Sequence, residues 1–335
     1  MRIQDGKLMK KFNWAILGCG KIASKFAQDL NLLERATKYA VASRSLEKAS
    51  DFAENHDFER FYDSYDKLVK DDNVDIVYIA TPHNLHKTHT LLALDNGKAV
   101  LCEKAFGLNA MEVKQMIQKA RSENLFLMEA FWTRFKPKFL KTQEIVDQKT
   151  FGDLKFLRSD FLFNGPYDPN NRLYNIDLGG GSLLDIGIYP VFMALSLLGR
   201  PDSILATAQY SPTGSEQSIA MVFKYKNGAL ARLNSSFEAW SKNDTELCFT
   251  DASLRFSRDE KEDITILQDK IEHQIETPKL KGLGYYLEAE HVMDCLENEL
   301  LESPMLPLNF SLELIEVLDE IRKQIDVVYP ADKPN

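Results

Sequence analysis

Trp14-Ala15-Ile16-Leu17-Gly18-Cys19-Gly20-Lys21-Ile22-Ala23 decides the fold of this chain. A short apolar run ends in Gly-x-Gly-x-x-Ala. A helical pattern begins at once, with Ile22, Ala23, Phe26, Ala27 and Leu30 on one face. This is the strand–turn–helix that opens a dinucleotide-binding unit. Gly18 permits the tight turn, and Gly20, lacking a side chain, lets a pyrophosphate approach the backbone. Ala23 is small enough for the helix to pack closely on the strand. The first helical turn, at Lys21 and Ile22, offers unpaired N–H groups and a partial positive charge to phosphates. Glycines also mark ordinary turns; the strand before and the helix after set this one apart.

Downstream, Tyr39-Ala40-Val41-Ala42 reads as a second strand, and it ends in Ser43-Arg44-Ser45. A dinucleotide fold commonly has a carboxylate there for the ribose 2′-hydroxyl. A serine hydroxyl and a guanidinium fork suit a 2′-phosphate instead, which favours NADP over NAD. The bland alternative is an exposed arginine, with Ser45 simply capping the next helix. Strands follow at 60–62 and 75–80, the second a continuous apolar run typical of a buried parallel strand. Thr81-Pro82 ends it at the edge where such sheets bind ligands. His83, His86 and His89 recur every third residue, so a metal site has to be weighed. No acidic or cysteine cluster accompanies them, and a place beside the nucleotide gives His86 a simpler role. A fifth strand, 98–102, delivers Glu103-Lys104 to the same edge; a helix and a sixth strand, 125–128, close a parallel sheet.

The 335 residues predict two domains, 1–130 for the nucleotide and 131–335 for substrate binding and dimerisation. A net charge of −9 without a basic cluster argues against nucleic acid. Arg2, Lys7, Lys10 and Lys11 are followed by no long apolar run, so neither a signal peptide nor a membrane anchor is expected. Four scattered cysteines fit a reducing compartment, the cytoplasm.

Past Ala130 the pattern changes. A strand is predicted over 154–163, then a polar loop over 164–177. Gly179-Gly180-Gly181 opens an apolar helix to Leu198 that carries Asp185 and Tyr189, four residues apart on one face. An aspartate there is costly unless it is paired, which marks it as a candidate site residue. Strand patterns follow at 203–209, 218–224, 229–237, 246–249, 253–257, 263–267 and 271–276, with an Asn227-Gly228 hairpin turn. They predict an antiparallel sheet with one face to cover, and a homodimer would cover it. Two helices, over 286–300 and 312–325, close the chain.

The glycine turn, the Glu103-Lys104 pair and the stretch from Gly179 to Pro190 together resemble the glucose–fructose oxidoreductase/inositol dehydrogenase/MocA (Gfo/Idh/MocA) family. Met128 to Phe135 and Leu318 to Ile325 resemble its dimeric dihydrodiol dehydrogenase and NADP-dependent D-xylose dehydrogenase branch. The resemblance implies a Rossmann domain, a second α/β domain with a large open antiparallel sheet that often dimerises, and NADP(H). It implies that Lys104, Asp185 and Tyr189 work beside the nicotinamide, Tyr189 as the base for a hydroxyl proton. Trp132 and Arg172 are weaker candidates for the substrate pocket. In one respect the chain departs from the family: Ala105 stands where the family has a proline, often after a cis bond. A cis bond costs about 3–4 kcal/mol before a non-proline residue and about 0.5–1 before proline. Two other readings stay open, a cofactor-binding regulator without turnover and a metal-dependent hydrolase built on the three histidines.

Overall fold

The computed structural model describes residues 10–333, together with the backbone of residues 3–4 and 7–8. Arg2 and the Lys7 side chain lie outside the described residues. The chain forms two compact units. One comprises Met1–Gly107, Met111–Phe135 and Leu280–Ser311; the other comprises Leu108–Ala110, Lys136–Lys279 and Leu312–Asn335.

In the first unit, β1 (Ile3–Gln4) and β2 (Lys7–Leu8) pair as a short ribbon. Then come β3 (Phe12–Leu17), α1 (Lys21–Leu30), β4 (Ala36–Ala42), α2 (Leu46–His56), β5 (Arg60–Tyr62), α3 (Tyr65–Val69), β6 (Ile76–Ile79), α4 (His86–Asp95), β7 (Ala99–Glu103), α5 (Ala110–Glu123) and β8 (Leu127–Ala130). The six strands β3–β8 form one parallel sheet in the order β5-β4-β3-β6-β7-β8. The order reverses at β3, so the crevice at the carboxyl ends of β3 and β6 is the switch point where such sheets take ligands. β3, β6 and β7 are buried almost throughout, which is why they read as apolar runs rather than alternating ones. Phe26 of α1 stacks on Tyr78 of β6 with ring centroids 3.8 Å apart and fixes helix to sheet.

In the second unit, α6 (Pro137–Asp147) leads to β9 (Leu154–Leu162). A loop and a π-turn (Leu183–Gly187) run into α7 (Ile188–Leu198). β10 (Ser203–Tyr210), β11 (Glu216–Lys224), β12 (Leu230–Ser236), β13 (Asp244–Phe249), β14 (Ser253–Ser257), β15 (Ile264–Gln268) and β16 (Ile271–Ile275) complete an eight-stranded sheet. Its order is β10-β11-β12-β9-β13-β14-β15-β16. All pairs are antiparallel, as expected for the strands from 203 on, except β9 with β12, which run parallel. The two are far apart in sequence, so no hairpin dictates their direction. α7 packs on β9 and β12 and covers one face of the sheet. The run Ile176–Leu198 is long and apolar enough to cross a membrane, but 89% of its most apolar window is buried inside the fold.

The compact units do not divide at residue 130. After β16 the chain returns to the first unit as α8 (Tyr285–Glu297), and α9 (Leu308–Gln324) follows. Asp29 of α1 anchors that return. Its carboxylate accepts the N–H groups of Leu283 (2.9 Å), Tyr285 (2.8 Å) and Tyr286 (3.3 Å), donors that the start of α8 leaves unpaired. Gly282 has no Cβ because one would collide with that carboxylate.

Candidate functional site

The nucleotide end is built from main-chain shape. Gly18 has φ +101°, and a Cβ there would lie 2.9 Å from the Ala80 carbonyl oxygen. The turn therefore fits only glycine against the end of β6. Gly20, the N-cap of α1, faces open space: a Cβ would meet nothing within 4 Å. Lys21 is exposed and Ile22 half-buried in the first turn, while Ala23 is fully buried. The arrangement fits a dinucleotide pyrophosphate, with room in front of Gly20 and helix N–H groups behind it. Cys19, between the glycines, has its thiol pushed up to about 11 by burial, which favours the protonated form at neutral pH.

Ser43 is buried at the end of β4, and its hydroxyl accepts the Ser45 N–H at 3.4 Å. Arg44 is exposed beside it. Ser45 caps α2 by accepting the Lys48 N–H at 3.3 Å. The capping of α2 by Ser45 is as expected, and Ser43 and Arg44 stand at the strand end.

At the ends of β6 and β7 lie Thr81, Pro82, Glu103 and Lys104. Pro82 is exposed, and the Thr81 hydroxyl meets His89 Nδ1 at 2.9 Å. His86 is fully buried, with Nδ1 2.7 Å from the Ala105 carbonyl oxygen and Nε2 2.8 Å from that of Thr81. Burial pushes its pKa down to about 4, so the ring is neutral and donates to one of the two carbonyls at a time. His86 thus sits beneath the site and ties two of its turns together. Among the described residues, no group of three or more His, Cys, Asp and Glu side chains gathers as metal ligands.

The loop bearing Lys104 is held at three points. The Lys104 N–H donates to Glu103 Oε2 at 3.1 Å, and the other Glu103 oxygen accepts from the Tyr78 hydroxyl. His86 reaches the Ala105 carbonyl, and the Phe106 N–H donates to Glu129 Oε1 at 3.1 Å. The Lys104–Ala105 peptide is cis. Glu129 is buried at the end of β8, where burial pushes its carboxyl up to about 7. The sequence reading ended this strand at residue 128, so it gave no signal for Glu129.

Trp132 belongs to this first unit. It stacks on Tyr285 at the start of α8, with centroids 4.7 Å apart. In the second unit Asp185 sits in the π-turn and Tyr189 in the first turn of α7, each under a tenth exposed. Arg172, from the loop after β9, donates to Asp185 at 2.8 Å; its own side chain is about half exposed (54%). Sequence reasoning missed Arg258. Its guanidinium lies 4.4 Å from the Tyr189 ring centroid and 3.8 Å from that of Phe161. The turn that carries Arg258 is pinned by α6. Lys136 pairs with Glu260 at 2.8 Å, and Lys138 donates to the Ser257 carbonyl at 3.2 Å.

Comparison with known proteins agrees with this architecture. The oxidoreductase family with an NAD-binding Rossmann fold, Gfo/Idh/MocA, matches residues 12–131, and the Gfo/Idh/MocA C-terminal domain matches residues 139–255. The chain belongs to the Gfo/Idh/MocA oxidoreductase family and is an NAD(P)-dependent dehydrogenase of that family. It is 36% identical to the trans-1,2-dihydrobenzene-1,2-diol dehydrogenase of Xenopus tropicalis, over 95% of this chain and 99% of that protein. With the Homo sapiens protein of the same name it shares 36% identity over 96% and 98%. In fold it is similar to a 3-ketoreductase from Actinomadura kijaniata in complex with NADP and TDP-benzene. That comparison gives a TM-score of 0.86 at 23% identity, covering 94% of this chain and 98% of that one. A levoglucosan dehydrogenase in complex with NADH and levoglucosan gives 0.85 at 19%, covering 95% and 98%.

Proposed function

We propose that this chain moves a hydride between NADP(H) and the hydroxyl-bearing carbon of a sugar, a polyol or a trans-dihydrodiol. The observation that carries the reading is the Asp185–Tyr189 pair, two buried polar side chains four residues apart, one in the π-turn and one in the first turn of α7. Arg172 pairs with Asp185 and Arg258 lies over the Tyr189 ring, and a buried acid and phenol gathered with two guanidinium groups support catalytic use. The dihydrodiol dehydrogenase relatives support a hydroxyl-bearing substrate carbon.

Bound there, NADP(H) would supply the hydride acceptor or donor. Tyr189 takes the hydroxyl proton on oxidation and gives it back on reduction. Lys104, fixed by its three-point loop, supplies a positive charge to that proton transfer. Asp185 orients the substrate hydroxyl and is itself held by Arg172. Gly18, Gly20, Lys21 and Ile22 cradle the pyrophosphate. Ser43 and Arg44 hold the 2′-phosphate and set the preference for NADP. Thr81, Pro82, His86 and Glu103 shape the edge under the nicotinamide, and Trp132 offers an apolar wall to the substrate. Two copies pair through the uncovered face of the eight-stranded sheet, where Leu205 and Leu267 are exposed. Four free cysteines suit a cytoplasmic protein.

The test is NADPH formation, followed by absorbance, with NADP or NAD and a panel of aldoses, polyols and trans-dihydrodiols. Turnover with NADP on one class supports the reading and names the substrate. Tight NADP binding without turnover on any class would turn it towards a cofactor-binding regulator. A monomeric mass at micromolar concentration would overturn the dimer.

A further inference from the structure

The Gly179–Leu184 segment and the π-turn are held from below by one residue that the reaction as described does not use. Glu216, the first residue of β11, is fully buried. Its Oε1 accepts the Leu183 N–H at 2.8 Å, while its Oε2 has no hydrogen-bond partner. Leu183 begins the π-turn, and the turn runs without a break into α7, so this N–H is one the helix start leaves unpaired. Gly181 is shaped to the carboxylate: it has φ +131°, and a Cβ there would overlap the Glu216 carboxyl group. On the other side of the loop, the Tyr329 hydroxyl donates to the Gly180 carbonyl at 3.2 Å. A further contact joins the Ser182 and Ser235 hydroxyls at 3.0 Å. A buried carboxylate with a spare oxygen is costly to keep, and a neutral amide would accept the same N–H in a purely structural loop at lower cost.

We infer that Glu216 is a positioning residue for the reaction: by holding the N–H that starts the π-turn, it fixes where Asp185, two residues on, places its carboxylate. The inference rests on the proposed role of Asp185. A charged acceptor holds an N–H more firmly than a neutral one, and a displacement of about 1 Å at a reacting group can cost about a hundredfold in rate. Burial pushes the Glu216 carboxyl up to about 7. The charged and titratable groups around it are Arg322 of α9, Tyr329 and Tyr210; Arg322 is itself tied to Asp319 and Asp332, each at 2.6 Å. The hold on Leu183 therefore strengthens as pH rises through 7.

Glu216→Leu, Glu216→Gln and Asp185→Asn, with the Glu216→Leu/Asp185→Asn double variant, test this in the full chain by kcat, KM, NADP affinity and melting temperature. Glu216→Leu is expected to lower kcat about tenfold to a hundredfold with NADP affinity unchanged. Glu216→Gln keeps an oxygen acceptor and is expected to recover most of that loss. In the Asp185→Asn background, Glu216→Leu is expected to add little, because both act through one carboxylate. If Glu216→Leu does not fold, Glu216→Gln still decides: the kcat of wild type is expected to rise through about pH 7, and that of the variant to rise less there. Unchanged kcat in Asp185→Asn would remove the role of Asp185 and this inference with it. Should Asp185→Asn lower kcat while Glu216→Leu does not, or lowers it by the same factor in both backgrounds, the positioning role alone falls. A pH profile of kcat in Glu216→Gln identical to that of wild type would also overturn it.

Discussion

Arg44 stands exposed at the end of β4 with Ser43 buried beside it, and the preference for NADP turns on this pair. Replacing Arg44 by alanine removes a charge-assisted donor to the 2′-phosphate, worth about 1.5–3 kcal/mol. The KM for NADP is expected to rise about tenfold to a hundredfold, with the KM for NAD nearly unchanged; equal effects on both cofactors would place Arg44 outside the phosphate site. Residues of this kind are legible in sequence because their type conflicts with their surroundings: a serine and an arginine where a carboxylate is customary, an aspartate in an apolar helix. Glu129, Glu216 and Arg258 are not legible in that way. Each acts on a segment far off in the chain, as Glu129 does on the Phe106 N–H and Arg258 on the Tyr189 ring. No local pattern records such a partner.

Elements were read well wherever a local period decides them. The alternation along β10, β11 and β12 matches the inward and outward faces of the sheet. The π-turn was read as ordinary helix, because its apolar residues satisfy either winding and the Glu216 hold comes from another element. Likewise, β7 runs on to Glu103 and β8 starts at Leu127, so Glu103 and Glu129 belong to strands rather than to the loops after them. The anchoring of α8 by Asp29 makes a testable case at this scale. Asp29→Ala leaves three N–H groups without their acceptor and is expected to cost about 1.5–3 kcal/mol, read as a lower denaturant midpoint at unchanged slope. A loss below the error of the extrapolation would mean that solvent serves those donors equally well.

Across the whole molecule, composition and the alternation of strand and helix gave a Rossmann sheet followed by an open sheet. The return of Leu280–Ser311 to the first unit was not readable, since helix patterns do not state which core they join. Stability should carry the mark of the buried carboxylates. Glu129 and Glu216 titrate near 7 in the folded chain and near 4.3 when unfolded. Between those values the folded state binds more protons, so their contribution to stability is fully present below about pH 4.3 and is lost as pH rises through about 7. His86 and His89, held down to about 4 by burial, act in the opposite sense up to about 6.5. The carboxylate effect is therefore read as a difference: Glu129→Gln is expected to gain on wild type between pH 5 and 7.5, and parallel curves would contradict the assignment.

The measurement closest to the central claim is single-turnover and steady-state kinetics of Tyr189→Phe beside wild type, on whichever substrate class the panel identifies, with NADP affinity measured in parallel. The account predicts a fall in kcat of about a hundredfold to ten-thousandfold with NADP affinity intact, because a phenyl ring keeps the packing under Arg258 and loses only the proton carrier. Turnover equal to wild type would take the proton transfer away from Tyr189 and contradict the account.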